Sequence, residues 1–284
     1  MATKVPAFTY SGTSSSEVKG GYWYIYLKSS GTIKFSYAKT LEACIVGGGA
    51  AGQGRSAANT GLRTYGGGGG TVLNKTGISA SAGTGYSIVI GSGGKKGLSS
   101  TNGSASTAFG YSASGGSTEA QVGVSNTGLN GTYAFGDSAL SRYGGGGGRG
   151  GTSPGGAGSS GGAGGGGKGG GGGDYSSGGA SAVAGATNTG GGGGGYGDDL
   201  NWQDGDGWNW SGGGDNADGG SGIVILRGTQ DDLLPVKFNG VQIAKMTFNG
   251  QDVTGLIYGG TRIFARAMRR LRQTIHAGRR AYGV

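Results

Sequence analysis

Long runs of glycine constrain what this chain can fold into more than any other feature. Glycine makes up 77 of the 284 residues, and its long runs include Gly144–Gly148, Gly164–Gly167, Gly169–Gly173 and Gly190–Gly195. Between residues 144 and 222 about half of all residues are glycine. A glycine loses more backbone freedom on folding than any other residue and has no side chain to bury. Such a stretch is therefore either a disordered linker or a packed array of bare backbones.

The residues that interrupt the glycine runs favour the packed array. Most of them are Ala and Ser, whereas a flexible linker accepts Glu, Lys, Gln and Pro freely. In polyglycine II, a left-handed helix with three residues per turn, chains without side chains can pair backbone groups between neighbours. Turn residues at Thr152–Pro154 and Asp174–Ser177 separate the runs. We therefore predict a polyglycine II bundle over residues 47–221, with disorder as the alternative.

Short runs of aromatic and β-branched residues predict strands around and within the glycine-rich region. The predicted strands are Tyr22–Leu27, Thr32–Ser36, Leu41–Val46, Tyr86–Ile90 and Gly222–Arg227. We expect residues 1–46, 86–91 and 222–228 to form one small β-sandwich from which the glycine segments extend. The predicted fold class is mainly β: this sandwich with an inserted polyglycine II bundle, then a C-terminal β-meander and a short helix.

Residues 233–284 contain an internal repeat followed by a basic segment. Val236–Gly240, Met246–Gly250 and Leu256–Gly260 recur every ten residues, and the Asn-Gly pairs in the first two are a strong hairpin signal. The repeat predicts a β-meander, and the segment after it predicts an amphipathic helix, because its apolar residues have helical spacing. The predicted attachment or oligomerisation residues are Phe238, Phe248, Tyr258, Phe264, Met268, Leu271 and Ile275, with a trimer favoured.

The distribution of charge separates this C-terminal segment from the rest of the chain. Residues 253–284 hold seven arginines and no acidic residue, so most of the net charge of +9 lies there. A solvated or partner-covered helix, an association helix, and a contact with nucleic acid or a membrane surface are three interpretations. The interleaving of aromatic and basic residues that is typical of single-strand binders is absent from the segment, in which only Tyr282 lies near the last arginines. No nucleic-acid partner is expected. No apolar run is long enough to predict a membrane span, and the first residues do not predict a signal peptide.

The sequence contains few side chains that could carry out enzymatic chemistry. His276 is the one histidine and Cys44 the one cysteine, which excludes a His/Cys metal cage and leaves no evident catalytic triad. Cys44 lies in an apolar run and is predicted to be a buried core residue. The segment Gly162–Lys168 resembles a phosphate loop, but Gly169 replaces the Ser or Thr that would reach the metal. We predict that the protein is not an enzyme and that it has no cofactor or bound metal.

One segment of the glycine-rich region, Asp198–Asp218, carries large and charged side chains. Exposed aromatic residues beside carboxylates suit the stacking and hydrogen bonding of sugars. The alternative is that the tryptophans only cover one side of the packed glycine helices. The alternate spacing of two of the aspartates leaves calcium binding open. The candidate receptor-binding residues are Trp202, Trp208, Trp210, Asp204 and Asp206.

Several strand motifs, taken in order, resemble the glycine-rich domain proteins encoded in tail and structural gene regions of bacteriophages and prophages. The motifs are Gly21–Ile25 with Ser30–Thr32, which is similar to the first hairpin of that family, then Leu41–Gly49, Tyr65–Gly70, Tyr86–Gly91 and Gly219–Arg227. The resemblance covers roughly residues 1–228. The β repeat and basic segment beyond it are additions to the family pattern.

The resemblance implies a virion structural protein, made in the host cytoplasm, whose partners are other virion proteins. In some phage adhesins of this kind, loops between packed polyglycine helices contact the host receptor, which implies a tail-fibre or tail-tip adhesin that recognises a host cell-surface glycan. The alternative is a purely architectural component, such as a head-fibre, tail or collar protein. A more distant alternative is an ice-binding protein, since flat arrays of glycine helices can order water.

Overall fold

The computed structural model describes residues 5–54, 65–97, 99–118, 128–152, 154–173, 178–197, 200–204, 207–211 and 214–229, together with six short strands between 236 and 262. The chain divides into two compact units, Met1–Gln230 and Asp231–Val284. The fold is mainly β, as predicted, and the described residues contain one 3₁₀ turn, Ala134–Gly136, and no α-helix.

Most strands of the first unit belong to two antiparallel five-stranded sheets. Sheet A has the order β1-β4-β7-β8-β9 and sheet B the order β2-β3-β14-β5-β6. The strands are β1 Phe8–Tyr10, β2 Ser14–Lys19, β3 Tyr22–Leu27, β4 Gly31–Phe35, β5 Lys39–Val46, β6 Val72–Ala80, β7 Gly85–Val89, β8 Ser106–Ala108, β9 Tyr111–Ala113, β10 Thr132–Tyr133, β11 Arg142–Tyr143, β12 Leu200–Asp204, β13 Gly207–Ser211 and β14 Ile223–Thr229.

Sheet B is buried on both faces, which explains why its central strands are apolar at almost every position. On the first face, Trp23, Ile25 and Leu226 are fully buried, and β5 contacts β8 and β9 of sheet A. On the second face, a cluster around Tyr24, Cys44 and Ile225 is covered by Ala134 and Tyr143. The segment that contains β10, the 3₁₀ turn and β11 therefore covers the second face of the sheet.

The predicted strands are all present, with ends that differ by at most two residues from the expected ones. The strand predicted at Tyr22–Leu27 has those bounds in the structure. The pairing differs from the expectation that the opening residues form one hairpin. β3 pairs with β2 and β14 in sheet B, whereas β4 pairs with β1 and β7 in sheet A. The turn at Ser29–Gly31 therefore carries the chain from one sheet to the other.

The region predicted to be polyglycine helix also contains strands that the sequence did not reveal. β6 completes the edge of sheet B, and β8 and β9 complete the edge of sheet A. Their sequences hold few large apolar residues: β6 reads VLNKTGISA, and its middle positions are only partly buried or exposed. An edge strand with one poorly covered face does not need the apolar run that marks a central strand.

Glycine segments in the first unit lie beside one another and pair through backbone hydrogen bonds. We call this array the glycine layer; it comprises residues 47–53, 65–71, 91–96, 101–105, 114–118, 144–152, 156–162, 166–173, 178–186, 190–197 and 214–222. Its bonds join segments that are far apart in sequence, such as Gly49 N–H to the Gly220 carbonyl at 2.8 Å. Every buried backbone donor needs a partner, and neighbouring segments provide it here.

The hydrogen bonds of the glycine layer repeat every three residues. Along residues 47–53, successive N–H groups donate to three neighbouring segments in turn. Gly47, Ala50 and Gln53 donate to the segment 65–71, at the carbonyls of Thr71, Gly68 and Tyr65. Gly48 and Ala51 donate to the segment 101–105, at Ser104 and Thr101, and Gly49 and Gly52 donate to the segment 214–222, at Gly220 and Ala217. Gly145, Gly148 and Gly151 donate in the same way to Gly164, Gly167 and Gly170. A β-strand repeats every two residues, whereas a repeat of three is that of a polyproline II-type helix. The assignment of the segments to polyglycine II helices stays a prediction.

The close approach of these backbones explains why the segments are glycine. A Cβ atom on Gly49 would lie 2.1 Å from the Gly191 carbonyl oxygen, and one on Gly52 would lie 1.9 Å from that of Gly194. Both distances are far below van der Waals contact. Ala50 and Ala51, in the same segment, are also fully buried, so a methyl group is accepted at particular positions only.

The second unit contains three short hairpins. β15 Val236–Phe238 pairs with β16 Val241–Ile243, β17 Thr247–Phe248 with β18 Gln251–Asp252, and β19 Ile257–Tyr258 with β20 Thr261–Arg262. The predicted meander is therefore wrong in its pairing: among the described strands, no ladder joins one hairpin to the next. Phe238, Phe248 and Tyr258 are each the last residue of a first strand, as the repeat predicts, whereas Phe264, Met268, Leu271, Ile275 and the predicted helix lie outside the described residues.

Candidate functional site

Connections between glycine segments gather at the end of the glycine layer that lies away from the two sheets. Gln53 donates its N–H to the Tyr65 carbonyl at 2.9 Å, and Tyr196 donates to the Gln53 carbonyl at 3.1 Å. Gly197 donates to the Gly214 carbonyl at 2.9 Å. We call this the loop end, defined by these five residues. Because the backbone ladder holds the ends of several connections together, side chains on those connections share one support.

The candidate receptor-binding residues belong to one connection at the loop end. β12 and β13 pair antiparallel, with Trp202 opposite Asn209, Gln203 opposite Trp208 and Asn201 opposite Trp210. These two strands were not predicted from the sequence, because a pattern of Trp, Asn and Asp between glycines does not resemble a typical strand. Asp204 ends β12, and Asp206 lies outside the described residues.

The register of this hairpin divides the tryptophans between its two faces. Successive positions of a strand alternate from one face to the other. Positions 208 and 210 therefore share a face with 201 and 203, and positions 202 and 204 belong to the opposite face. The structure thus brings the three tryptophans and Asp204 into one hairpin but not onto one face. Trp202 and Trp208 can therefore be tested as separate sites.

Asp218, another acidic residue of this segment, has a structural contact. Its Oδ1 accepts the Lys96 N–H at 2.6 Å, and its Oδ2 lies 3.3 Å from Lys95 Nζ. Partial desolvation favours the neutral carboxyl, but the bond from the Lys96 amide and the contacts with the Lys95 ammonium outweigh it and lower the pKa of Asp218. This carboxylate anchors the connection that follows residue 96 to the segment 214–222.

Asn216 adds a second anchor that sequence reasoning missed. Its buried side-chain amide donates to the Gly52 carbonyl at 2.8 Å and to Ser100 Oγ at 2.9 Å. One side chain thereby joins three segments at the loop end. A single Asn in a glycine-rich stretch gives no sequence signal for such a role.

The hypothesis that the aspartates bind calcium receives no support from the part of the chain that is described. Within that part, no group of three or more His, Cys, Asp and Glu residues could hold a metal ion. Asp215 lies 4.0 Å from Lys96 Nζ, in a second exposed ion pair. Asp198, Asp199 and Asp206 lie outside the described residues, so the hypothesis is not tested on them.

The phosphate-loop motif and the single cysteine both have structural roles in the fold. A phosphate loop needs backbone N–H groups that point at the phosphates, but Gly162 and Gly167 donate theirs to the carbonyls of Gly146 and Gly192. The Cys44 thiol is buried, and desolvation raises its pKa to about 12. It is a core residue, as predicted, and not a nucleophile. His276 lies outside the described residues.

The remaining observations concern membrane-spanning helices and protein families. Among the residues that the structure describes, no helix is long and apolar enough to cross a membrane. Comparison of the chain with protein-family models and with curated protein sequences gives no match.

Proposed function

We propose that this protein is a non-enzymatic structural component of a bacteriophage virion, a tail-fibre or tail-tip adhesin that contacts a host-surface glycan through its loop end. The order of strand motifs that resembles phage glycine-rich domain proteins supports the virion assignment. The single observation that carries the adhesin assignment is the three-residue period of backbone hydrogen bonds, because it gives the connections at the loop end a rigid base.

We infer further that the segments of the glycine layer are polyglycine II helices. Their period of three supports this, as do the neighbouring carbonyl oxygens that would lie about 2 Å from an added Cβ. Amides such as those of Gly167, Gly169 and Gly170, whose N–H groups donate to the carbonyls of Gly192, Ser159 and Gly195, should therefore exchange slowly with solvent.

The distribution of side chains supports a binding role at the loop end. The interior of the glycine layer consists mostly of backbone atoms and offers a ligand few side chains. The hairpin that carries Trp202, Trp208 and Trp210 is inserted between two glycine segments at the loop end. Tryptophan is enriched among residues that dominate binding energy, and its ring can stack on the apolar face of a sugar.

In this proposal the second unit attaches the chain to other virion proteins or to further copies of itself. The apolar residues of its hairpins, Phe238, Phe248 and Tyr258, occur at equivalent places, as three copies of one contact surface would require. A hairpin of two or three residues per strand does not bury a core of its own. A homotrimer is the favoured assembly, and no nucleic acid takes part.

The experiment compares variants of the labelled full-length protein for binding to intact cells of a panel of bacterial strains. We expect Trp208→Ala to reduce binding at least about tenfold, in the range of a hot-spot truncation. Trp202→Ala probes the other face of the hairpin. The matched control is Val183→Ala, which shortens an apolar side chain that is 54% exposed in the glycine layer. Slow amide exchange over residues 161–173 establishes in every variant that the layer is intact.

A deletion separates the adhesin from the architectural alternative. Removing residues 198–218 would also remove Ala217, whose N–H donates to the Gly194 carbonyl within the glycine layer, so the deletion is limited to residues 200–211. An adhesin loses cell binding and still assembles. If the shortened chain binds cells as well as the parent chain does, the adhesin proposal is wrong. Loss of assembly without any change in cell binding supports the architectural component.

A further inference from the structure

A cavity of about 260 Å³ lies between the second face of sheet B and the segment that covers it. Its floor is formed by the buried residues Tyr24, Ala134 and Ile225. Its walls include the partly buried side chains of Tyr26, Phe135 and Leu140, together with Tyr143. Its rim carries the exposed polar residues Glu17, Lys19 and Ser141. The cavity is thus apolar at its base and polar at its opening.

Aromatic rings line the cavity in a fixed arrangement. The rings of Tyr24 and Tyr26, two residues apart on β3, have centres 6.3 Å apart and an interplanar angle of 21°. The ring of Phe135 lies 6.4 Å from that of Tyr24 at 57°. Rings in such positions present faces and edges to an amphipathic ligand rather than filling the space themselves.

Arg227 holds the Phe135 ring from behind. Its guanidinium carbon lies 4.1 Å from the centre of the Phe135 ring and 4.9 Å from that of Tyr22. Its Nε donates to Glu42 Oε2 at 2.6 Å, in a partly buried ion pair. The charge of Arg227 is therefore balanced, and its contact holds in place the Phe135 ring that lines the cavity.

Backbone strain at Phe135 points to a use for this arrangement. Phe135 has a φ of 53°, in the left-handed region that costs a non-glycine residue about 1–2 kcal/mol. Its N–H donates to Asn74 Oδ1 at 2.9 Å, which ties the turn to β6. Strain of this kind persists where surrounding contacts enforce it, and it clusters at ligand sites.

Hydrogen-bonding groups at the opening can both donate and accept. The Tyr26 hydroxyl donates to Glu17 Oε1 at 2.7 Å, which orients the carboxylate and leaves Oε2 for a further donor. Burial is the main cause that raises the pKa of both Tyr26 and Tyr143, and the Glu17 carboxylate adds to it. Both hydroxyls therefore keep their protons at neutral pH.

We propose that this cavity binds one neutral pyranose ring of a glycan. The apolar C–H face of a sugar fits the aromatic walls, and its hydroxyls match the rim formed by Glu17, Lys19 and Ser141. Lys19 opposes a cationic ligand, and Glu17 opposes an anionic one. Pockets for drug-sized ligands span roughly 300–1,000 Å³, so a cavity slightly below that range suits a single ring.

This site is independent of the proposed function. It is built from β2, β3, β14 and the segment between β10 and β11, and it contains no residue of the loop end. A loss of host binding by the hairpin variants would leave it untouched. The same protein would then have two sites for saccharides, one of them in its sheets.

The test titrates the full-length protein with free monosaccharides: glucose, galactose, mannose, rhamnose and N-acetylglucosamine, each up to about 50 mM, since single-ring affinities are in the millimolar range or weaker. Saturation-transfer NMR on the sugar and thermal unfolding of the protein are recorded together. We expect at least one sugar to bind, and Glu17→Gln to weaken it at least about tenfold through loss of a charge-assisted hydrogen bond. Leu140→Trp fills the cavity and should abolish binding.

Two controls keep the test decisive. Ser16→Ala lies beside Glu17 on β2 but on the opposite face of the strand, since Glu17 is paired with Tyr24 and Ser16 with Ile25; it should bind as the parent does. Trp208→Ala should also bind as the parent does, which distinguishes this site from the loop end. Absence of binding by all five sugars overturns the proposal. So does binding that survives Glu17→Gln and Leu140→Trp with unchanged unfolding temperatures.

Discussion

The sheets and the glycine layer of the first unit form their dense interiors from different atoms. In the sheets, interior space is filled by side chains, and Trp23, Ile25 and Leu226 are fully buried there. In the glycine layer the interior consists of backbone, with Gly49 and Gly191 so close that a Cβ atom could not fit between them. Both regions pair backbone N–H and carbonyl groups between segments, but only the sheets draw their stability mainly from buried side chains.

This difference predicts opposite sensitivities to a change of volume. A side-chain core loses stability when carbons are removed, because the surrounding structure collapses only in part. A backbone array loses stability when a carbon is added, because the new atom clashes with a neighbouring main chain, which cannot change rotamer as a side chain can. Ala50 and Ala51 are buried in the same array, so an added carbon destabilises only those positions where it would meet a neighbouring backbone.

The largest effect is expected in the sheets. Leu226→Ala truncates a fully buried residue of the central strand β14, and it should lower the free energy of unfolding by about 2–5 kcal/mol. Chemical denaturation of the full chain measures this change. Val89→Ala, at a strand position that is 43% exposed, is the control and should stay within about 0.5 kcal/mol of the parent. Equal effects of the two would mean that the sheets are not packed as described.

Addition of one carbon to the glycine layer should have the next largest effect. In Gly49→Ala the new methyl would lie 2.1 Å from the Gly191 carbonyl oxygen, and overpacking of this kind costs about 1–3 kcal/mol or more. The matched control is Gly85→Ala at the start of β7, where the new methyl meets the side chains of Thr32 and Lys34, the nearest atom at 3.1 Å. Those side chains can move, so the control should change stability by less than about 1 kcal/mol.

This pair of variants tests directly whether the glycine layer is packed through its backbone. If Gly49→Ala and Gly85→Ala unfold at the same denaturant concentration, the glycine layer is not packed through its backbone. Slow amide exchange over residues 161–173 that persists in the Gly85 variant and is lost in the Gly49 variant would sharpen the comparison further.

The smallest effect concerns the charged anchor at the loop end. The pKa of Asp218 is lower in the folded protein than its usual value, so the ionised carboxylate stabilises the fold above that value. The contribution is lost as pH falls through the lowered pKa of the folded state, and it amounts to no more than about 1 kcal/mol for an exposed pair. After correction for intrinsic exchange, the Lys96 amide, followed from pH 6 to pH 3, should lose part of its protection at the acidic end.

Asp218→Asn is the variant that isolates this carboxylate. Its Lys96 amide should exchange at a rate that, after correction for intrinsic exchange, changes little over the same pH range. Asp215→Asn, whose carboxylate is 69% exposed, should keep the pH dependence of the parent. A parent protein whose corrected exchange rate does not rise at low pH would contradict the anchor.

Much of the fold was predictable because local composition was decisive there. The strand Tyr22–Leu27 lies in an aromatic and apolar run, and the strands that flank the Asn-Gly pairs at residues 239–240 and 249–250 pair antiparallel. The glycine runs themselves predicted an array of bare backbones. Pairing was not predictable: β3 and β4 are neighbours in sequence but belong to different sheets, since long-range contacts decide which edge a strand joins.

The candidate sites show the same division. Composition drew attention to Trp202, Trp208 and Trp210, but only the ladder of β12 and β13 shows that position 202 lies on the opposite face from 208 and 210. The aromatic cavity left no sequence signal at all. Tyr24 and Tyr26 looked like core residues of a strand, and Phe135 belongs to a segment that the sequence assigned to the glycine-rich region.

The sequence by itself determined where side chains are missing, and therefore which parts of the chain can be packed only through their backbones. That follows from composition, because a residue without a Cβ atom cannot contribute to a side-chain core. The tertiary structure alone decided which segments become neighbours and which positions must stay glycine. Ala50 and Gly49 are adjacent and both buried, yet only Gly49 faces a carbonyl at a distance that no Cβ atom tolerates. Such a distance depends on a chain more than a hundred residues away, which no local pattern can specify.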